Sequence, residues 1–288
     1  MPTRLMSVMK MKKTILSKSK LAAFSLMVMT SIANAAVIDL ADTANASGTF
    51  ETDLGSVVFT WGQIQTTGTG ILDPFLRIQK NSEEQGYNST QANAGAYPFE
   101  EKYGSFTHDV MMSDLVSSDG AYRFVLDIGE PGNDKSLLSL DGLKLFSTST
   151  PGQNGSGVDA NGDWLGPVNG TLLWDMDSDE NGNYLDNHVL LDSNREGNPG
   201  NGISDMLMDV ESSIISAAPG DEQYFVLWSR FGLIGVPDAE SNGTFEEWSR
   251  VTAVSNIPEP STALLFSLGL LGLVVATRRK KGSFSRPL

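Results

Sequence analysis

The chain has 288 residues, 35 Asp and Glu against 20 Lys and Arg, a formal net charge of −15 and no cysteine. The missing thiols exclude disulfides, thiolate catalysis, a lipidated cysteine anchor and most zinc sites. All 35 acids fall within 36–260, which holds nine of the cations and a net charge of −26, so that part repels nucleic acid and anionic head groups. It needs counter-ions, either a divalent cation or the salt of its medium.

Residues 1–35 read as a secretory signal peptide. Arg4, Lys10, Lys12, Lys13, Lys18 and Lys20 make a basic start, and Leu21 to Ile32 is apolar. Ala33 and Ala35 supply small side chains at a cleavage site, so the mature chain is expected to begin at Ala36. The implied partners are the Sec translocon and signal peptidase.

From 36 to 255 the pattern is that of strands. Val57–Trp61, Ile71–Gln79, Ala121–Ile128, Tyr224–Arg230 and Thr244–Val254 are rich in β-branched, aromatic and other apolar residues. In Leu138–Phe146 the alternation breaks at Asp141-Gly142, which predicts a bulge or tight turn. Gly, Asn and Asp punctuate the runs, the only helical turn is expected near Ser204–Ser213, and no fixed-period repeat is apparent. The fold class expected is all-β: a single β-sandwich, jelly-roll-like, over 36–255. About 220 residues suffice to bury a core without disulfides.

The chemistry concentrates in 151–210, with eleven acids and one cation, Arg195. Asp175, Asp177, Asp179 and Asn181 precede Gly182, and the last three match the first half of a calcium loop, D-x-D-x-[DN]-G. Alternate oxygens converge at that spacing because the glycine lets the chain curl around a hard cation. The twelfth loop position carries His188 where a Glu is expected, with Asp186 or Glu180 as substitutes. Asp159, Asn161 and Asp163 repeat the spacing, as do Asp192, Asn194 and Glu196. The competing reading is a set of Asx turns. Trp164, between glycines, is the tryptophan expected to be exposed, as a platform for a sugar ring. His108 could pair with Glu100 or Glu101, but no nucleophile elbow, phosphate loop or dinucleotide fingerprint occurs, and the protein is expected not to be an enzyme.

The C-terminus has three parts in order. Pro258-Glu259-Pro260 is rigid and extended. Ala263 to Thr277 is uncharged, about 22 Å long as a helix against about 30 Å of hydrocarbon, so a transmembrane helix over 261–277 is short and weakly inserted. Arg278, Arg279, Lys280 and Lys281 follow, and these cations should stay cytoplasmic with the body on the far side. The residues 282–288 would form a cytoplasmic tail. This ordered triple, over 256–281, resembles the PEP-CTERM sorting signal of Gram-negative bacteria. The resemblance implies recognition by an exosortase at Pro258, Glu259 and Pro260. It also implies an inner-membrane precursor with its body in the periplasm, then sorting to the cell surface or to an extracellular matrix containing exopolysaccharide. Gly68–Gln79, Glu84–Asn88 and Phe106–Asp109 likewise resemble exported PEP-CTERM proteins of unknown role, without catalytic residues to carry over. Two functions follow as expectations: a non-catalytic, calcium-stabilised envelope or matrix protein, or a carbohydrate-binding or carbohydrate-active module.

Overall fold

A computed structural model describes residues 35–64, 72–91, 99–102, 104–131, 135–195, 203–233 and 238–252. Residues 1–34 including Ala33, then Pro258, Glu259 and Pro260, the apolar stretch 261–277, Arg278 to Lys281 and the tail 282–288 lie outside the described residues.

The described chain is nearly all β. Its strands are β1 (Val37–Asp39), β2 (Ser47–Thr52), β3 (Gly55–Trp61), β4 (Leu72–Ile78), β5 (Asn81–Ser82), β6 (Glu84–Tyr87), β7 (Val110–Met111), β8 (Ser117–Ser118) and β9 (Ala121–Ile128). They continue with β10 (Leu137–Thr148), β11 (Gly170–Asp175), β12 (His188–Asp192), β13 (Met206–Glu211), β14 (Tyr224–Phe231), β15 (Ser241–Asn242) and β16 (Glu246–Val251). One short helix, α1 (Ser212–Ser216), follows β13. The turn expected near 204–213 is therefore displaced. Met206, Met208 and Val210 alternate inward as a strand, and the helical residues come after it.

Two seven-stranded sheets form. The first runs β1-β12-β10-β14-β6, with β11 beside β10 and β7 beside β14. The second runs β2-β3-β13-β9-β16-β4, with β8 beside β9. β5 and β15 make a separate two-stranded ladder. One hydrophobic cluster draws from both sheets: Leu143, Leu145, Phe225 and Leu227 from the first, Phe59, Phe124, Met208 and Trp248 from the second. Phe124 stacks on Phe225 with ring centroids 5.0 Å apart. Trp248 Nε1 donates to Ser229 Oγ at 3.0 Å, so even the indole's polar atom is satisfied across the sheets.

β10 and β14 are buried along almost their whole length. One side of their sheet meets the common core. The other side carries Phe146, Val226 and Trp228, which join Tyr87, Phe99 and Trp164 in a second buried cluster. Burial on both faces is why β14 reads as a continuous apolar run rather than an alternating one.

The break at Asp141-Gly142 is a bulge within one strand. β10 pairs with β14 through Leu140 and again from Gly142, and the register shifts between them. A Cβ at Gly142 would lie 2.8 Å from Trp228 Cη2 and 2.9 Å from its Cζ3. Trp228 has no room to withdraw, being fully buried with Nε1 bonded to Gln85 Oε1. Gly142→Ala is therefore an overpacking change of about 1–3 kcal/mol. At about 2–4 °C per kcal/mol for a domain of 150–250 residues, the melting temperature should drop by several degrees. Trp228→Phe in the same chain should recover part of the drop, because the shorter ring frees that space. An unchanged melting temperature in Gly142→Ala would sink this packing account.

Candidate functional site

Two loops on the first sheet share one local design. In the first, Asp159 Oδ1 accepts the N–H groups of Asn161 (2.8 Å) and Asp163 (3.1 Å), and Asp159 N–H donates to Asp163 O. In the second, Asp179 Oδ1 accepts from Asn181 and Asn183, both at 2.8 Å, and Asp179 N–H donates to Asn183 O. Each closes with a bridge, Val158 to Trp164 and Ser178 to Tyr184. Gly162 and Gly182 sit at φ +87° and +73°, where a side chain is strained. The shared pattern is D-x-N-G-[DN]-[WY]-L at 159–165 and 179–185. Sequence reasoning saw the repeated spacing but laid Asp159 on Asp177 rather than on Asp179; laying the two Asn-Gly pairs over each other gives the true register.

The first loop and the end of β11 present their carboxylates to a cation of the chain itself. Lys144, on the outer side of β10, places Nζ 3.1 Å from Asp163 Oδ2, 3.6 Å from Asp175 Oδ2 and 4.0 Å from Asp159 Oδ2. Burial pulls the Lys144 ammonium down, but Asp175, Asp163 and Asp159 outweigh it and leave it above its ordinary value. Arg230 takes the other oxygen of Asp163 at 3.0 Å and also donates to Asn161 O and Glu83. Asp163, only 2% exposed, is thus held between two cations.

Of the residues proposed from sequence as calcium ligands, the structure gathers some and separates others. Asp175 and Asp177 approach each other and Asp163. Burial raises Asp175 despite Lys144. Asp177 is buried; Oδ1 accepts the N–H of Asn187 at 2.8 Å, and Oδ2 has no hydrogen-bond donor. Burial, then the charges of Asp175 and Asp163, push it up to about 9. Asp179, by contrast, is spent on its own turn, where the Asn183 side chain and backbone hold its carboxyl below the usual range. Asn181 and Asp186 face solvent. Asp192 Oδ1 accepts from Asn194 N–H at 2.8 Å, another Asx turn, and Glu196 lies outside the described residues. Among the described residues, no three Asp, Glu or His side chains gather in an arrangement that could hold a metal ion. Asp177 alone of the proposed set combines burial with an oxygen left open.

The exposure expected for Trp164 is corrected. It is 1% exposed and lies flat on Tyr87, with centroids 3.9 Å apart and planes 3° from parallel. Phe146 meets its edge at 5.5 Å, and Nε1 donates to Gly155 O. The flanking glycines, taken from sequence as signs of an exposed loop, permit close packing instead. A Cβ at Gly166 would stand 2.6 Å from Phe146 Cε1. Nor does His108 meet Glu100 or Glu101. Its Nε2 is 3.9 Å from Asp73, which Arg250 already engages at 2.8 Å. Glu100 pairs with Lys80 at 3.0 Å, and Glu101 is buried, accepting from Tyr87 N–H.

Among the described residues no helix is long and apolar enough to cross a membrane. No curated protein and no solved structure matches the chain. One family model does: residues 256–280 match the PEP-CTERM protein-sorting motif. The chain therefore carries, over 256–280, the sorting signal of an exosortase substrate, which implies export and sorting to the cell surface by way of the membrane.

Proposed function

We propose that this is a non-catalytic component of the envelope or extracellular matrix, whose body is a jelly-roll-like β-sandwich delivered by its C-terminal signal. The observation that carries the reading is the ordered Pro-Glu-Pro, apolar stretch and cation block within the matched motif. The core common to the two sheets supports the sandwich. In the proposed precursor, 261–277 spans the inner membrane, Arg278 to Lys281 stay in the cytoplasm and the body stands in the periplasm. The covered faces of Trp164 lend nothing to a sugar-stacking role.

Glu259→Ala keeps both prolines and so the extended linker, while removing the one charge of the recognition triplet. In cells with an active exosortase, the full-length variant should accumulate in membranes while the parent chain is processed. Processing of the variant at the parent's rate would overturn the reading.

Calcium belongs to the same proposal through Asp177, whose open oxygen and burial call for a proton or a cation. Asp179 and Asn181 would have to leave their Asx turn to join it, so the site is proposed as weak, with a Kd on the order of 10⁻⁴–10⁻³ M as in extracellular modules. Saturation at a hundred times Kd corresponds to about 2.7 kcal/mol. Calcium at 10 mM should then raise the melting temperature by a few degrees over sodium chloride of matched ionic strength, and Asp177→Asn should abolish that increment. Equal shifts with calcium, magnesium and matched sodium would mean general screening, and would remove calcium from the proposal.

A further inference from the structure

Far along the chain from the aspartate loops, three buried glutamates meet. Glu84 opens β6 of the first sheet, Glu246 opens β16 of the second, and Glu130 follows β9. Their exposures are 1%, 0% and 0%. Glu84 accepts the N–H of Lys80 through Oε2. Thr244 Oγ1 lies 3.5 Å from Glu246 Oε1. Glu130 accepts the N–H of Asn242 at 2.9 and 3.2 Å. Glu84 Oε1 and Glu246 Oε2 are buried with no hydrogen-bond donor, and the two carboxyl groups lie within hydrogen-bonding reach of each other. Two carboxyl groups so placed bond to each other only when a proton lies between them.

We propose that Glu84 and Glu246 form a proton-held latch that closes the corner between the two sheets, and that loss of the shared proton in alkaline medium releases it. The corner has little slack. Ser82 has φ +69° and Gly232 φ +80°, and a Cβ on Gly232 would stand 2.4 Å from Ser82 O. The ladder β5–β15 lies in the same corner, tied by Ser241 Oγ to Lys80 O at 2.7 Å. Charges on the adjoining segments have partners of their own: Lys80 with Glu100, Glu83 with Arg230, Arg77 with Glu247. With both carboxyls ionised, two like charges would share a site without water, next to Glu130.

Burial pushes Glu84 up to about 7, Glu246 well above the usual carboxyl range, and Glu130 upward. A carboxyl whose folded value is raised gives stability that is fully present below the unfolded value, about 4.5, and lost as pH climbs through the folded value. Each such proton changes the folding constant tenfold per pH unit across that window. Glu101, pushed by burial to about 7, and Asp205, pushed by burial to about 8, act in the same direction. The latch must therefore be isolated by substitution.

The test follows thermal melts of the full-length chain in detergent from pH 5 to 9, beside Glu246→Gln and Glu84→Gln. A glutamine amide donates permanently to the remaining carboxylate, so no proton is needed. The wild type should lose melting temperature as pH rises. Either variant should match it at pH 5 and exceed it by several degrees at pH 9, with a slope shallower by about one proton. Should both variants fail to fold, hydrogen exchange on the wild type decides. Amides of 80–84 and 241–246, corrected for intrinsic rates, should lose protection above neutral pH before β10 and β14 do. Variants whose slopes match the wild type, or a corner that opens only together with the central strands, would overturn the latch.

Discussion

Lys144 is the point on which the acidic half of this molecule turns. A strand buried on both faces has no business carrying an ammonium, and desolvation alone would strip its charge. Three aspartates, two from the 159–165 loop and one from β11, reverse that, holding it charged above Trp228, whose ring centroid lies 5.5 Å from Nζ. The dependence is mutual. Without the ammonium, Asp163 would keep Arg230 but would lie buried beside Asp175 with that repulsion unrelieved. The loops at 159–165 and 179–185 are shaped by their own Asx turns, but the seating of the first against the sheet rests on this cation. Trp164, which follows Asp163 directly, is carried by the same loop onto Tyr87 and covers the outer face of β10 and β14.

A body of net charge −26 with few cations cannot treat all its buried acids this way. It uses one solution that the ion pairs display and, on the proposal above, a second. Near β10 the counter-charge is a side chain, so Asp163 is doubly paired. At the corner of the sheets it is a proton, shared by Glu84 and Glu246. Asp177 sits between these cases: it lies near Lys144, yet its second oxygen receives no hydrogen bond and burial leaves it hard to ionise. Ion pairs made within the chain are insensitive to the medium over a wide range. Proton-held pairs answer to pH, so the two solutions leave different regions of one fold with different sensitivities.

How much of this was legible in the sequence depends on how local the cause was. The strands at 57–61, 121–128 and 224–230 were readable because burial pattern is written in the residues themselves. The bulge at Asp141-Gly142 was readable because a broken alternation has few physical explanations. Trp164 misled because the glycines beside it signal either freedom or tight packing, and only the distant Phe146 and Tyr87 decide which. The loop aspartates were read as convergent ligands because spacing gives proximity along the chain but not the direction of a carboxyl group. Lys144 and the glutamate pair were invisible, since the partners of Lys144 are set by the pairing of β10 with β11 and those of the glutamates by strands of two different sheets. No local pattern encodes that pairing.

The sorting signal and the body impose one constraint together. A chain exported by way of the membrane reaches its final surroundings outside the cytoplasm, and this one has no cysteine to pin it there. Its cohesion must come from the common core and from neutralising buried acids after arrival. The aromatic contacts between the sheets, such as Phe124 on Phe225, work in any aqueous medium. The acids depend more on their surroundings: burial raises Glu101 and Asp205, which have no cation beside them among the described residues, so their charge state follows the pH outside. The acidic composition, by repelling nucleic acid and anionic lipid, thereby also ties the stability of the fold to the pH of the medium into which it is sorted, on the latch proposed above.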